Sequence, residues 1–133
     1  MKANLSVKGL EEMLEGMAKA GDDVDEAAAE AVMTGGAVAL AGFKSRVAVD
    51  TGKLRDSLVV TEPEQDGNVI TISVGQPDRG ANKVSKRLAI YGNVQEFGSS
   101  SMAAHPYVRP TMAADKGKIN RAMVETLKER GVL

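Results

Sequence analysis

The stretch DDVDEAAAEAVMTGGAVALAGFKSRVA, residues 22–48, is rich in alanine and predicts one long helix. Acidic residues lie at its start and the basic residues Lys44 and Arg46 lie near its end, which suits the helix dipole. Gly35 and Gly36 in the middle each cost a helix about 1 kcal/mol relative to alanine. Such a pair usually marks close packing or a bend, so we expect one of the two at the centre of this helix.

Four apolar residues before this stretch recur at the spacing of one helical face, namely Leu10, Met13, Leu14 and Met17. Ser6 is a possible cap for this segment, and Gly21 ends it. The sequence therefore predicts two N-terminal helices, of which the second is the long one.

Two strand-like runs follow the long helix, at residues 58–61 and 68–74, separated by the turn sequence EPEQDG. The second run, NVITISV, alternates apolar and polar side chains, so one face of its strand should be buried. Residues 76–87 are polar and basic and contain glycine, which predicts a long mobile loop. A third strand is predicted over residues 88–97.

The chain ends with a predicted helix that begins at Pro110 and Thr111 and places four apolar residues on one side: Met112, Ile119, Met123 and Leu127. The order helix, helix, strands, helix predicts an α+β fold with an antiparallel sheet of three to four strands. A length of 133 residues suffices for one domain. We expect that domain to span residues 1–133, with mobile loops near 76–87 and 99–104.

Composition excludes several kinds of site. Hydrophobic residues make up 43% of the chain and charged residues 26%, as in a globular protein. There is no cysteine, which excludes disulfides and thiolate metal sites, and the single histidine, His105, gives too few donors for a metal site of side chains. No apolar run approaches the roughly 20 residues of a membrane helix. We expect neither a bound metal nor a membrane partner.

Charge is unevenly distributed, although the net charge is only -1. Residues 1–40 carry eight acidic residues against three lysines, whereas basic residues gather at 44–55 and 79–87. These segments are either two solvated surfaces or complementary faces of identical subunits that meet head to tail. The small net charge argues against nucleic-acid binding by bulk attraction.

The strongest enzymatic alternative is the triplet Asp50-Thr51-Gly52, which resembles the signature of aspartic proteases. A retropepsin-like enzyme would be a homodimer in which each short chain supplies one carboxylate, here Asp50. A helix-like segment precedes the triplet and the charged sequence KLRDS follows it, whereas those proteases are almost wholly β. The structural alternative is that Asp50 or Thr51 caps a short helix whose Leu54 and Leu58 face inward.

Other residues used in catalysis do not form a recognisable site. Ser99, Ser100 and Ser101 lack the Gly-x-Ser-x-Gly pattern of hydrolases, and His105 precedes a proline, which favours an extended loop. The glycines at residues 75–80 lack the spacing and the lysine of a phosphate loop. We therefore expect no catalytic residue, no cofactor and no small-molecule substrate.

The basic segment at residues 79–87 supports a second alternative, a small DNA-binding module. Its cations, Arg79, Lys83, Lys86 and Arg87, could contact DNA phosphates or an acidic partner, or could be solvated. No aromatic residue lies among them, so stacking on single-stranded nucleic acid is not supported.

Three stretches carry a family resemblance: VDTGKLRDSL at residues 49–58, YGNVQEFG at 91–98 and PYVRP at 106–110. In this order and spacing they resemble the small tail-completion or head-tail joining (neck) proteins of long-tailed bacteriophages and prophages. The matching positions are Asp50, Thr51, Gly52, Leu54, Arg55, Ser57, Tyr91, Glu96, Phe97, Gly98, Pro106, Tyr107, Arg109 and Pro110. The chain departs from the family pattern at Ala48, Ser99 and Thr111, where proline, threonine and alanine are usual.

The resemblance implies a structural virion protein and not an enzyme. It implies a ring, with six subunits expected, at the head-proximal end of a phage tail, where the protein completes the tail or joins it to the head. The expected partners are further copies of the chain and the tail-tube, terminator or connector proteins, with DNA able to pass through the lumen. We expect the protein in the virion, after synthesis in the cytoplasm of the bacterial host.

The resemblance also suggests roles for particular residues, as hypotheses. Asp50, Thr51 and Gly52 would fix the turn between the long helix and the sheet. Glu96 and Arg109 would form a charge-assisted pair that holds the third strand to the terminal helix. Residues 76–87 and 99–104 would be partner-facing loops that become ordered on assembly.

Overall fold

The computed structural model describes residues 2–6, 23–49, 52–67, 69–76 and 83–132. Its strands are β1 (Lys2–Ser6), β2 (Val59–Val60), β3 (Glu64–Asp66) and β4 (Val69–Gly75). Its helices are α1 (Asp23–Arg46), α2 (Lys53–Ser57), α3 (Lys83–Phe97), α4 (Val108–Ala114) and α5 (Lys116–Glu129). The fold is α+β with an antiparallel sheet, as the sequence predicts.

Strand β4 is the centre of the sheet. β1 pairs along one edge of β4, and β2 and β3 pair in succession along the other, all of them antiparallel. Ile70, Ile72 and Val74 are buried while the residues between them are half-buried, so the alternation predicted for this strand is present. The predicted turn at residues 62–67 contains the short strand β3, which is followed by Gly67 at a φ of 60°.

Helix α1 lies between the sheet and α5. A Cβ atom at Gly36 would overlap Ile72 of β4, and one at Gly35 would lie 2.8 Å from Cγ of Met123 in α5. Interiors packed this closely leave no room for a side chain at either position. The glycine pair therefore marks close packing on two sides of the helix.

The core forms where α1 faces the sheet and the start of α4. Tyr107 and Phe43 are the largest fully buried side chains, and their rings meet edge to face with centroids 6.1 Å apart at 81°. Aliphatic residues from the helices and β4 complete this cluster. The position of Tyr107 in the core fixes the chain just before α4.

The predicted third strand at residues 88–97 is wrong, because these residues belong to α3. Burial along α3 recurs at Ala89, Gly92 and Glu96, which is helical spacing, and not at every second residue. The exposed apolar run that includes Ile90 and Tyr91 produced the strand-like pattern. The buried face of the helix consists instead of small and polar residues, so hydrophobicity alone does not reveal it.

The loop predicted at residues 76–87 extends too far, because residues 83–87 form the first turns of α3. Gly92 packs against the buried side chain of Gln76, and a Cβ atom there would overlap the Gln76 amide. Helix α3 is therefore held against the end of β4.

The predicted C-terminal helix is present, but it begins earlier, at Val108, and consists of α4 and α5, which meet at Asp115. The N-terminal helix predicted at residues 10–21 lies outside the described residues. Among the helices of the described ranges, none has the length and apolarity to cross a membrane.

Candidate functional site

Glu96, near the end of α3, is a fully buried carboxylate. It accepts hydrogen bonds from the backbone N–H of Tyr107 at 2.8 Å and from those of Val108 and Arg109 at 3.0 Å each. Nε of Arg109 donates a further bond at 3.0 Å. We call this carboxylate with its four donors the Glu96 cap.

The Glu96 cap completes the first turn of α4. The first N–H groups of a helix have no partner within the helix, and Tyr107, which precedes α4, supplies no side-chain cap. Glu96 supplies the cap from another helix, and its negative charge lies at the positive end of the helix dipole. Pro106 and Pro110 are both half-buried. Pro110 lies in the first turn of α4 and, as a proline, has no N–H that needs a partner. The start of α4 is thereby fixed to the end of α3.

The carboxyl of Glu96 is ionised at neutral pH. Burial opposes ionisation, but hydrogen bonds from the N–H groups of Val108, Tyr107 and Arg109 and from the Arg109 side chain outweigh it, so the pKa of Glu96 lies below its ordinary value. Donors occupy both oxygens of the carboxylate. Its role is therefore structural, because a general base needs a free position for the proton it accepts.

The Arg109 side chain connects the cap with the surface. Its guanidinium lies 5.0 Å from the centre of the Phe97 ring, and the side chain is 54% exposed. Phe97 itself is 56% exposed. The predicted contact between Glu96 and Arg109 is thus present, but it joins two helices and not a strand to a helix.

The segment that follows α3 is a compact turn. Gly98 has a φ of 78°, a backbone conformation that favours glycine. An isolated β-bridge joins Ser99 to Met102, and the N–H of His105 donates to the Gln95 carbonyl at 2.7 Å. Ser99, Ser100, Ser101 and His105 are residue types used in catalysis, but here they lie in the connection between α3 and α4. This connection returns the chain to the Glu96 cap.

Tyr107 carries a polar group that the fold leaves unpaired. Its hydroxyl is buried and has no hydrogen-bond partner in the described part of the chain. Burial and, secondarily, the charge of Glu96 raise the pKa of Tyr107 to about 12, so the hydroxyl is neutral.

Replacing Tyr107 with phenylalanine should therefore be tolerated. The substitution removes the unpaired hydroxyl and keeps the ring contact with Phe43, so we expect the free energy of unfolding to stay constant or to rise by about 1 kcal/mol. Urea denaturation followed by circular dichroism measures the change. A clear loss of stability would show that the hydroxyl has a partner in the folded protein.

The Asp-Thr-Gly motif lies between α1 and α2. Gly52 occupies the cap position of α2, with a φ of 82° and no side-chain cap bond. The cap position of α2 is thus Gly52, whereas the sequence assigns the cap to Asp50 or Thr51. Asp50 and Thr51 themselves lie outside the described residues.

The remaining residues of that motif anchor α2. Leu54 and Leu58 are buried, as the sequence predicts. The hydroxyl of Ser57 donates to the Leu54 carbonyl at 2.7 Å, and Nε of Arg55 lies 3.2 Å from Oδ1 of the exposed Asp56. Leu54, Ser57 and Leu58 thus hold α2 in place ahead of β2 by burial and a local hydrogen bond.

A second charged cluster, at the end of α1, is missed by the sequence patterns. Nη1 and Nη2 of Arg46 donate to the two carboxylate oxygens of Asp115 at 2.8 and 3.3 Å, and Nη1 also lies 3.2 Å from Oγ1 of Thr111. The Arg46 hydrogen bonds hold the pKa of Asp115 below its ordinary value. The cluster ties α1 to the junction between α4 and α5. Its hydroxyl comes from Thr111, one of the departures from the family pattern.

The cations predicted to face a partner or DNA are only partly described. Arg79 lies outside the described residues, and Lys83 and Lys86 lie in the first turns of α3, where the backbone alone is described. Arg87 is exposed on α3. It borders a groove of about 410 Å³, which we call the α3 groove and which is also lined by Ile90, Tyr91, Val94, Ser99, Ser101 and Met102.

The described residues thus combine buried contacts that order the chain with an exposed face on α3. They include no group of three or more histidine, aspartate or glutamate side chains that could hold a metal ion. A family model described as "Bacteriophage HK97-gp10, putative tail-component" matches residues 11–98, and the chain belongs to this family. The protein is therefore a structural bacteriophage tail component, and the resemblance carried by residues 49–58 and 91–98 is confirmed. No curated protein and no solved structure matches the chain.

Proposed function

We propose that the protein forms a ring at the head-proximal end of the phage tail, where it completes the tail or joins it to the head. Membership of the tail-component family is the observation that carries this proposal. Six subunits are expected, with tail-tube, terminator or connector proteins as neighbours and with DNA passing through the lumen. The chain would act as one domain in this ring, with residues 99–104 facing a partner.

The surface of the chain supports assembly. Ile90 is 55% exposed, Phe97 is 56% exposed and Tyr91 is 37% exposed, all three on α3. A cluster of large apolar side chains on one exposed helix is typical of an interaction surface. The uneven charge along the chain favours contacts between unlike faces of identical subunits, and such head-to-tail contacts form a ring when the rotation between neighbouring subunits closes.

Neither alternative function gains support from the described residues. Asp50 is flanked by helices, since α1 ends at Arg46 and α2 begins at Lys53, whereas an aspartic protease would place it in a strand-loop scaffold. Of the four cations assigned to DNA contact, Arg87 alone has a described side chain, and it borders an apolar groove.

Deletion of the gene from the phage or prophage that encodes the protein tests the proposal. We expect DNA-filled heads and separate tails, because the ring that completes the tail or joins it to the head would be missing. Electron microscopy of the lysate measures the fraction of joined particles, and addition of the purified full chain to the lysate should restore them. The Tyr107→Phe protein, which should fold normally, is the matched control for restoration.

Normal joined particles in the absence of the gene would contradict the proposal. So would antibody labelling of the chain at the end of the tail that is distant from the head.

A further inference from the structure

The first surface to consider is the α3 groove together with its basic end. The groove is open and mostly apolar, and two of its α3 side chains, Ile90 and Tyr91, are 55% and 37% exposed. Arg87 is exposed at the same place and forms no ion pair within the described part of the chain. The occupant that complements this groove is therefore one that combines an apolar side chain with a negative charge.

The second surface is the face of the sheet that turns away from α1. Ile72 faces α1 at Gly36, so Ile70 and Val74 face the same way and the residues between them face outward. The cross-strand partners of those outward residues share the outer face, and the register gives Val59 opposite Gly75, Glu64 opposite Thr71 and Asp66 opposite Val69. We call Val59, Glu64 and Asp66 the outer sheet face.

The outer sheet face carries an exposed apolar side chain and the negative charge that the α3 groove lacks. Val59 is 41% exposed and offers an apolar side chain on this face. Glu64 and Asp66 are exposed, and neither has an ion-pair partner among the residues that the structure describes. Because Arg87 pairs with neither of them, the two surfaces do not satisfy each other within one chain.

We propose that the outer sheet face of one copy docks into the α3 groove of a neighbouring copy. Val59 would lie against Ile90 and Tyr91, and the carboxylates of Glu64 and Asp66 would face Arg87. The two surfaces differ, so the contact is heterologous, and its repetition generates a ring when the rotation between neighbouring copies closes. This inference rests on the proposed ring and names the surfaces that build it.

Disulfide trapping tests the contact directly, because the chain has no cysteine of its own. Two full-length proteins, Val59→Cys and Ile90→Cys, one of them carrying a size tag, are mixed at millimolar concentration and oxidised. We expect a mixed dimer of intermediate size as the main product. The matched control replaces Ile90→Cys with Val124→Cys, whose valine on α5 is 38% exposed, and should give at least about tenfold less mixed dimer.

A protein that carries both Val59→Cys and Ile90→Cys extends the test to the ring. Oxidation should give a ladder of covalent oligomers that stops at one closed species, and the size of that species reports the number of subunits.

Charge reversal tests the electrostatic part of the contact. Arg87→Glu on the Ile90→Cys protein should slow mixed-dimer formation about tenfold, because like charges then face each other. Glu64→Arg on the Val59→Cys partner should restore the rate. Glu125→Lys, which reverses an exposed acidic residue on α5, is the control and should change nothing. Circular dichroism checks that each variant is folded.

The outcomes separate this inference from the proposed function. Rings seen by electron microscopy without preferential coupling of Val59→Cys to Ile90→Cys would overturn the docking surfaces and leave the ring intact. Coupling that survives Arg87→Glu, or a release of duplex DNA on that substitution without an effect on coupling, would overturn the role given to Arg87. Preferential coupling combined with normal particles in the gene deletion would support the contact and contradict the head-proximal role.

Discussion

Replacing Glu96 with glutamine is expected to lower the free energy of unfolding by about 3 kcal/mol. Three backbone N–H groups at the start of α4 point at the carboxylate, and a hydrogen bond to a charged group contributes about 1.5–3 kcal/mol. Glutamine has one acceptor oxygen, so its NH2 group would face N–H donors and leave at least one buried donor unpaired. Urea denaturation of the purified chain measures the loss.

The matched variant is Arg109→Met, which removes the charged partner of Glu96 and keeps a flexible apolar side chain. The Arg109 side chain is 54% exposed, so solvent screens its charge and we expect a loss of only about 0.5–1 kcal/mol. The prediction is therefore an order of effects, in which Glu96→Gln is several times more damaging. Equal losses would mean that the ion pair, and not the backbone cap, holds α3 to α4.

Acid should erase the difference between the wild type and Glu96→Gln. The pKa of Glu96 is lower in the folded chain than in the unfolded chain, so its contribution to stability is present above the unfolded value and declines as the pH falls through the folded value. Asp115, whose pKa is lowered in the same direction, is present in both proteins and cancels in the comparison. A gap that stays constant in acid would show that Glu96 does not act as a carboxylate.

The contact between Glu96 and Arg109 could be predicted from the family motif, whereas the element that carries Glu96 could not be predicted from hydrophobicity. The apolar residues of α3 such as Ile90 lie on its exposed side, while its buried face holds Gly92 and Glu96. A prediction based on hydrophobicity therefore assigns the exposed face of this helix to the core and its buried face to the solvent. The burial of polar residues here is decided by partners at residues 76 and 107–109, which the local pattern does not contain.

Long-range polar contacts mark the other limit of the sequence patterns. Gly35 and Gly36 could be recognised as a packing site because a glycine pair in a helix has a local cost that packing must offset. Arg46 and Asp115 lie 69 residues apart, and nothing in the local sequence around either one indicates a partner. Their pairing follows from the antiparallel packing of α1 against α5, so it becomes visible only with the tertiary structure.

Replacing Gly98 with alanine is expected to lower the free energy of unfolding by about 3 kcal/mol, as measured by urea denaturation. A left-handed backbone costs a residue with a Cβ atom about 1–2 kcal/mol, and overpacking adds about 1–3 kcal/mol. The φ of Gly98 is 78°, and a Cβ atom there would lie 2.9 Å from the backbone N of Ala104 and 3.0 Å from the carbonyl oxygen of Met102. Both contacts are with backbone, which cannot rotate away as a side chain could.

Gly131→Ala is the control that separates the two causes of this loss. Gly131 has a similar φ of 76°, but its Cβ position is open, so we expect only the conformational cost of about 1–2 kcal/mol. The excess loss in Gly98→Ala should also be coupled to Glu96, because the turn that Gly98 begins delivers the donors of residues 107–109 to the carboxylate. The double variant Gly98→Ala with Glu96→Gln should therefore lose less than the sum of the single losses. Strict additivity would show that the turn and the Glu96 cap are independent, and equal losses in the two alanine variants would show that the backbone at residues 102–104 moves away freely.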